Sequence, residues 1–169
     1  MTATKPHSVG RLQKIDTSDV VIRKLESLEH HYLSLLFDDA NESLHSGRWL
    51  SAGCDSLGEN TWCAGAFSGE IFVGIIRSQL IDISGVAETS LFVVEPWRRC
   101  GIAVTLLQAT EPWARERGCS TLRIQCLRSN WSMRAFLERI GAHLDLVVGQ
   151  IVAEISIDTL ADEANGLVS

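Results

Sequence analysis

At 169 residues, 46% of them apolar, the chain can bury one sizeable core, and a second independent domain is not expected. A formal charge of −6 argues against a general nucleic-acid binder, because such proteins need clustered cations to displace counterions from the phosphate backbone. Five cysteines without a CxxC pair, five scattered histidines and the lack of a signal-type or membrane-length apolar run speak against a metal site, secretion and membrane insertion, so a cytoplasmic protein with reduced thiols is expected.

Residues 1–18 are polar, without periodicity, and read as a flexible leader; 19–158 read as one domain, and 159–169 as a polar tail. Val20 to Arg23 is a short β-branched run, after which Leu25, Leu28, Tyr32, Leu35 and Leu36 recur at helical spacing. Asp38 or Asp39 can cap a second short helix that stops near Gly47. Trp62–Phe67 and Ile71–Gln79 are strand-like and separated by a hairpin signal at Ser68–Gly69, and Val86–Val94 follows a turn at Ser84–Gly85. Ala103, Leu106, Leu107, Thr110 and Ala114 then line a helix that Gly118 ends, with Pro112 predicting a kink or break between Gln108 and Pro112. Thr121–Cys126 is a strand, and Ser129 or Asn130 caps a helix whose expected buried stripe is Met133, Phe136, Leu137 and Ile140, ended by Gly141. Leu144–Val148 and Gln150–Ile157 are two further β-rich runs, an end of the chain where an exposed strand edge invites a homodimer.

Within this order, AETSLFVVEPWRRCGIA from Ala87 to Ala103 carries the strongest chemical signal. Phe92, Val93 and Val94 end an apolar run, Pro96 stops it, and Gly101 lets backbone approach a ligand where helical periodicity begins. The free N–H groups of a helix's first turn bind anions, and Arg98 and Arg99 add charge that pairs with phosphate oxygens, so a pyrophosphate would fit. From Arg98 to Arg139 eight arginines face three glutamates, a local +5 that leaves −11 for the remainder. That asymmetry suits an anionic cofactor on one side and a cationic substrate on the other. Neither a G-x-x-x-x-G-K-[ST] loop nor a G-x-G-x-x-G loop occurs.

Arg98-Arg99-Cys100-Gly101-Ile102-Ala103 resembles the pyrophosphate loop R/Q-x-x-G-x-G/A of the GCN5-related N-acetyltransferase (GNAT) superfamily. About 30 residues later, Asn130, Met133, Phe136, Ile140 and Gly141 resemble the second CoA motif of that family, N-x-x-A-x-x-F-Y-x-x-x-G-F. About 75 residues, Val73 to Val148, share this resemblance, and the first 70 share only the order of elements. The resemblance implies an α/β (α+β) fold with a mixed central sheet of six to seven strands flanked by about four helices. It implies acetyl-CoA as acyl donor, no metal, and a small-molecule or protein amine as acceptor.

On this resemblance, backbone at Phe92, Val93 and Val94 would grip the pantetheine arm and thioester where two strands splay apart, with N–H groups available to a developing oxyanion. Backbone from Arg99 through Cys100, Gly101, Ile102 and Ala103 to Val104 would hold the pyrophosphate, with Thr105 as a hydroxyl donor. Asn130 would contact the CoA arm while capping its helix, and Phe136 belongs to the same motif. Glu88 is the candidate base: an alkyl amine is only about one part in a thousand neutral near pH 7.4, and strand alternation puts Glu88 on one face with Ser90 and Phe92. The family's tyrosine acid commonly follows the motif phenylalanine, but here that place is Leu137 and the chain's one tyrosine is Tyr32. Protonation of the departing thiolate is therefore unassigned, and a thiol pKa near 8.5 makes thiolate a tolerable leaving group without it. Cys100 and Cys126 read as small hydrophobes rather than acyl carriers, while Trp97 and Trp131 either cover the cofactor or pack under the loop. The alternatives are a non-catalytic acyl-CoA sensor, motivated by Leu137, and a transferase for a longer or acidic acyl group. The acidic remainder leans toward a cationic acceptor such as a polyamine, an aminoglycoside or a protein lysine.

Overall fold

The computed structural model describes residues 17–26, 58–81 and 83–160. The leader up to residue 16, the two helices expected before Gly47, and the tail beyond 160 lie outside them. Seven strands, β1 (Val20–Lys24), β2 (Thr61–Ser68), β3 (Ile71–Leu80), β4 (Val86–Val93), β5 (Thr121–Leu127), β6 (His143–Val147) and β7 (Gln150–Ser156), form one sheet in the order β1-β2-β3-β4-β5-β7-β6. Every neighbouring pair is antiparallel except β4 and β5, which are parallel and joined through helix α1 (Ile102–Glu116). Helix α2 (Trp131–Arg139) links β5 to β6. The mixed seven-stranded sheet is the fold that the element order implies.

The period-two alternation of the strands sorts their side chains between two faces. Leu91 and Val93 of β4, Leu122 and Ile124 of β5, and Ala153 and Ile155 of β7 fall on one face, where they join Ile102, Leu106 and Leu107 of α1 and Leu137 and Ile140 of α2 in a single buried core. Each fully buried leucine or isoleucine there contributes about 1.5–3 kcal/mol. Gly74 on β3 makes the seating of α1 possible: a Cβ at that position would stand 3.0 Å from the Phe92 carbonyl oxygen and 3.3 Å from Leu106 Cδ1. Two hydroxyls are buried between β3 and β4, and Ser78 and Thr89 satisfy each other at 2.9 Å.

Several boundaries differ from expectation. The β2–β3 loop is Gly69–Glu70 rather than Ser68–Gly69, because Ser68 still pairs with Ile71. The break expected before Pro112 is absent: α1 is one continuous 15-residue helix with Pro112 inside. Pro112 is exposed, so its ring meets solvent, and it removes one N–H from a helix seated by Leu106, Leu107, Trp113 and Ala114. The C-terminal end closes on itself, with Cys119 N–H donating to the Ala114 carbonyl at 2.8 Å and Gly118 N–H to Arg115 at 3.1 Å. In α2 only Leu137 and Ile140 of the expected stripe are buried, while Met133 and Phe136 are half-buried at the rim of the core. Residues 157–160 are helical with Ile157 and Leu160 buried, so the core reaches past residue 158.

Replacing Pro112 with alanine restores the N–H that the Gln108 carbonyl lacks and removes no buried contact. The Pro112→Ala protein is expected to be about 2 kcal/mol more stable, the helix-interior penalty of proline less its restriction of the unfolded chain. Urea denaturation reads this as a higher midpoint at unchanged slope, and an unchanged or lower midpoint refutes it.

Candidate active site

The parallel ladder between β4 and β5 is short. Pairing runs Val86↔Thr121, Ala87↔Leu122, Glu88↔Arg123 and Thr89↔Ile124, then stops, although β4 continues to Val93 and β5 to Leu127. On its other side β4 stays paired with β3 as far as Val93↔Gly74, and Val94 N–H donates to the Val73 carbonyl at 2.9 Å. Antiparallel pairs alternate in the direction of their main-chain groups. Ser90, Phe92 and Val94 therefore direct theirs at β3, and Leu91 and Val93 direct theirs into the gap beside β5. Of the expected grip at Phe92, Val93 and Val94, only Val93 is so turned. Leu91, which the sequence did not single out, joins it.

The loop after β4 passes through a single 3-10 turn at Glu95–Trp97 and two residues with left-handed backbone, Arg99 at φ 62° and Gly101 at φ 85°. Gly101 is the N-cap of α1 and offers no side-chain acceptor; the open space where its Cβ would stand leaves the approach clear. The first helical bond runs from Thr105 N–H to the Gly101 carbonyl at 3.1 Å. The N–H groups of Ile102, Ala103 and Val104 thus precede any intrahelical acceptor and sit at the positive end of the helix dipole. The Thr105 hydroxyl donates back to the same Gly101 carbonyl at 3.3 Å, a bond within its own turn rather than toward a ligand. Cys100 is half-buried, with its thiol toward the Arg98 carbonyl at 3.5 Å.

Arg98 behaves differently from Arg99. Its Nε donates to the Val93 carbonyl oxygen at 2.9 Å, and its guanidinium lies 5.7 Å from the centre of the Phe92 ring. Arg98 therefore ties the loop to the end of β4, a charge-assisted bond reinforced by a cation–π contact. Arg99, exposed and on the strained turn, is the cation placed beside the helix terminus. Trp97 packs half-buried against the core, whereas Trp131 is 67% exposed, with the Arg134 guanidinium 5.8 Å from its ring.

Asn130 is the N-cap of α2, its side-chain oxygen accepting from Met133 N–H at 3.1 Å. Leu137, at the place of the motif tyrosine, is fully buried in the core. The place of the phenol is thus taken up by packing in the core that α2 shares with β4 and β5. Glu88 is half-buried on the face turned away from α1, one residue before the ladder ends, with Gln79 beside it on β3 and Arg123 on β5. Arg123 gives both Nε and Nη2 to Glu154 Oε1, at 3.0 and 2.8 Å. The sequence did not single out this pair, yet a charge on the polar face of each of two otherwise alternating strands, TLRIQCL and QIVAEIS, is its visible trace.

Burial pushes the thiol pKa of both Cys119 and Cys126 up. In Cys119 bonds to the backbone of Thr121 and Ala87 partly offset this. Protonated thiols are poor nucleophiles, so Cys126 serves packing beside the gap. Among the described residues no three of His, Cys, Asp and Glu stand close enough to hold a metal ion, and no helix is long and apolar enough to cross a membrane.

No curated protein matches the sequence significantly. Solved structures share the fold at low identity. The ribosomal-protein-S18-alanine N-acetyltransferase of Escherichia coli is 18% identical over 82% of this chain and 94% of that one, with a TM-score of 0.59. The PaiA N-acetyltransferase of Thermoplasma acidophilum, solved in complex with coenzyme A, is 18% identical over 81% and 98%, with a TM-score of 0.57. An acetyltransferase of Bacillus subtilis in complex with CoA is 14% identical over 81% and 98%, with a TM-score of 0.59. The model of the acetyltransferase (GNAT) family matches residues 24–142, well over half of the chain, from the last residue of β1 through β2, β3, β4, the loop, α1 and β5 to just past α2. With the parted strands and the uncapped helix terminus inside that match, the chain belongs to the GNAT acetyltransferase family.

Proposed function

We propose that the protein is an acetyl-CoA-dependent N-acetyltransferase that moves an acetyl group to a primary amine by direct attack in a ternary complex. The observation that carries this reading is the ladder that stops at Thr89↔Ile124 and leaves the main chain of Leu91 and Val93 facing a gap, a few residues before an uncapped helix terminus. Two sets of unsatisfied donors at the ends of one short segment suit a ligand with a carbonyl at one end and a pyrophosphate at the other. The N–H groups of Ile102, Ala103 and Val104, with Arg99, would hold the pyrophosphate. Arg98 locks the loop to Val93 and so fixes the spacing of the two sets.

The Leu91 and Val93 N–H groups would stabilise the negative charge that develops on the thioester oxygen, a preorganised donation whose loss costs on the order of a hundredfold. Glu88, on the face turned from α1 and beside the start of the gap, would take the proton of the attacking amine, directly or through a water. The leaving thiolate needs little help near neutral pH, which suits a site where Leu137 supplies core packing instead of a phenol. The four free thiols among the described residues accord with a reducing, cytoplasmic setting. The burial of Leu137 also favours a second reading, a sensor that binds acetyl-CoA without turning it over.

A thiol-release assay with acetyl-CoA and a panel of primary amines separates the two: the enzyme releases CoA with at least one amine, the sensor with none. Glu88→Gln is expected to lower kcat about a hundredfold while calorimetric binding of acetyl-CoA stays at its original strength. A variant that keeps its full rate removes Glu88 from the mechanism. Leu137→Tyr is expected to cost about 1–3 kcal/mol of stability by overpacking the core and to bring no gain in kcat. A faster, equally stable Leu137→Tyr protein would show that this position can reach the thiolate after all.

A further inference from the structure

The face of the sheet turned away from α1 carries a row of polar residues, one from each of five strands: Gln79, Glu88, Arg123, Glu154 and His143, each in register with the next. Arg77 lies on the same face, opposite Ser90, with its Nη2 donating to Gln79 Oε1 at 3.0 Å. Arg77 and Arg123 thus lie on the strands either side of Glu88, two positive charges beside one carboxylate, whereas a subsite for a polycation would carry surplus negative charge there. Arg123 is braced, because Nε and Nη2 both donate to Glu154 Oε1 in a pair only 33% and 39% exposed. Three of the five guanidinium N–H donors are left over by those two bonds. The ladder ends at the very next residues, Thr89 and Ile124, so Arg123 stands beside the mouth of the gap, in register with Glu88 on β4 while its guanidinium is braced by Glu154 on β7.

Resting on the acyl-transfer reading of that gap, we infer that the acceptor is a zwitterion: a primary amine that carries a carboxylate a few bonds away. The amine meets Glu88, and the carboxylate takes the remaining N–H groups of Arg123, whose planar fork matches carboxylate geometry. Arg123 is then the specificity-determining residue and Glu154 the residue that positions it. This narrows the cationic acceptors suggested by the acidic remainder of the chain, since two guanidinium groups around Glu88 repel a second ammonium.

The test compares kcat/KM for ornithine against putrescine and for β-alanine against ethylamine, pairs that differ only by the carboxylate. The wild-type protein is expected to prefer the acid member of a pair about tenfold or more, the discrimination of one charge-assisted bond. In Arg123→Gln that ratio falls toward one, in Arg123→Lys it falls less, and in Glu154→Gln it falls through loss of the brace. The last two variants give the same readout if Arg123→Gln does not fold. A wild-type protein indifferent to the carboxylate or favouring the diamine, or an Arg123→Gln protein with the wild-type ratio, overturns the inference while leaving acyl transfer standing. No thiol release with any acceptor overturns acyl transfer itself.

Discussion

Hydrogen bonds that β4 and β5 do not make with each other are the constraint on which the rest of this structure depends. Main-chain N–H and C=O groups inside a protein need partners, and a central pair of strands that separates after four residue pairs leaves several without one. The fold tolerates this because β4 is held elsewhere. The β3 ladder runs along its other side to Val93, the Ser78 and Thr89 hydroxyls pin the two strands at the point of parting, and Gly74 lets α1 sit close against them. The missing bonds are thereby confined to one gap, where a ligand can supply them.

At two positions that the family motifs give to ligand chemistry, the fold uses the side chain present for its own geometry. Arg98 reaches back through Nε to the Val93 carbonyl and lies over Phe92, so it fixes the loop that leads into the helix terminus. Leu137 fills the core beneath α2. Asn130 shows that the division is not absolute, since its capping bond to Met133 uses one side-chain oxygen and leaves the amide N–H₂ group for other work.

The strands were legible in the sequence because alternation and β-branched runs have one structural solution each, and the helix ends were legible at Gly118 and Gly141. Pro112 misled because a proline on a solvent-facing position of a well-seated helix removes one hydrogen bond without removing the apolar face that holds the helix in place. The site was legible as a stretch but not as a set of directions. Whether Phe92 or Leu91 faces the gap depends on the parity of pairing with β3, which no property of residues 91 and 92 encodes. The Arg123–Glu154 pair was out of reach for a related reason: its partners are 31 residues apart on strands that become neighbours only because β7 inserts next to β5.

That insertion also shapes how the chain can fold. β7 is the last of the described strands in chain order but an interior strand of the sheet, between β5 and β6, and Ile157 and Leu160 close the core just after it. Until β7 has been made, β5 presents an unprotected edge and the apolar side chains of Leu122, Ile124 and Cys126 have no cross-strand partners on that side. A nascent chain therefore carries an aggregation-prone edge from the synthesis of β5 until that of β7, and the non-local closure by β7 is expected to be its slow step.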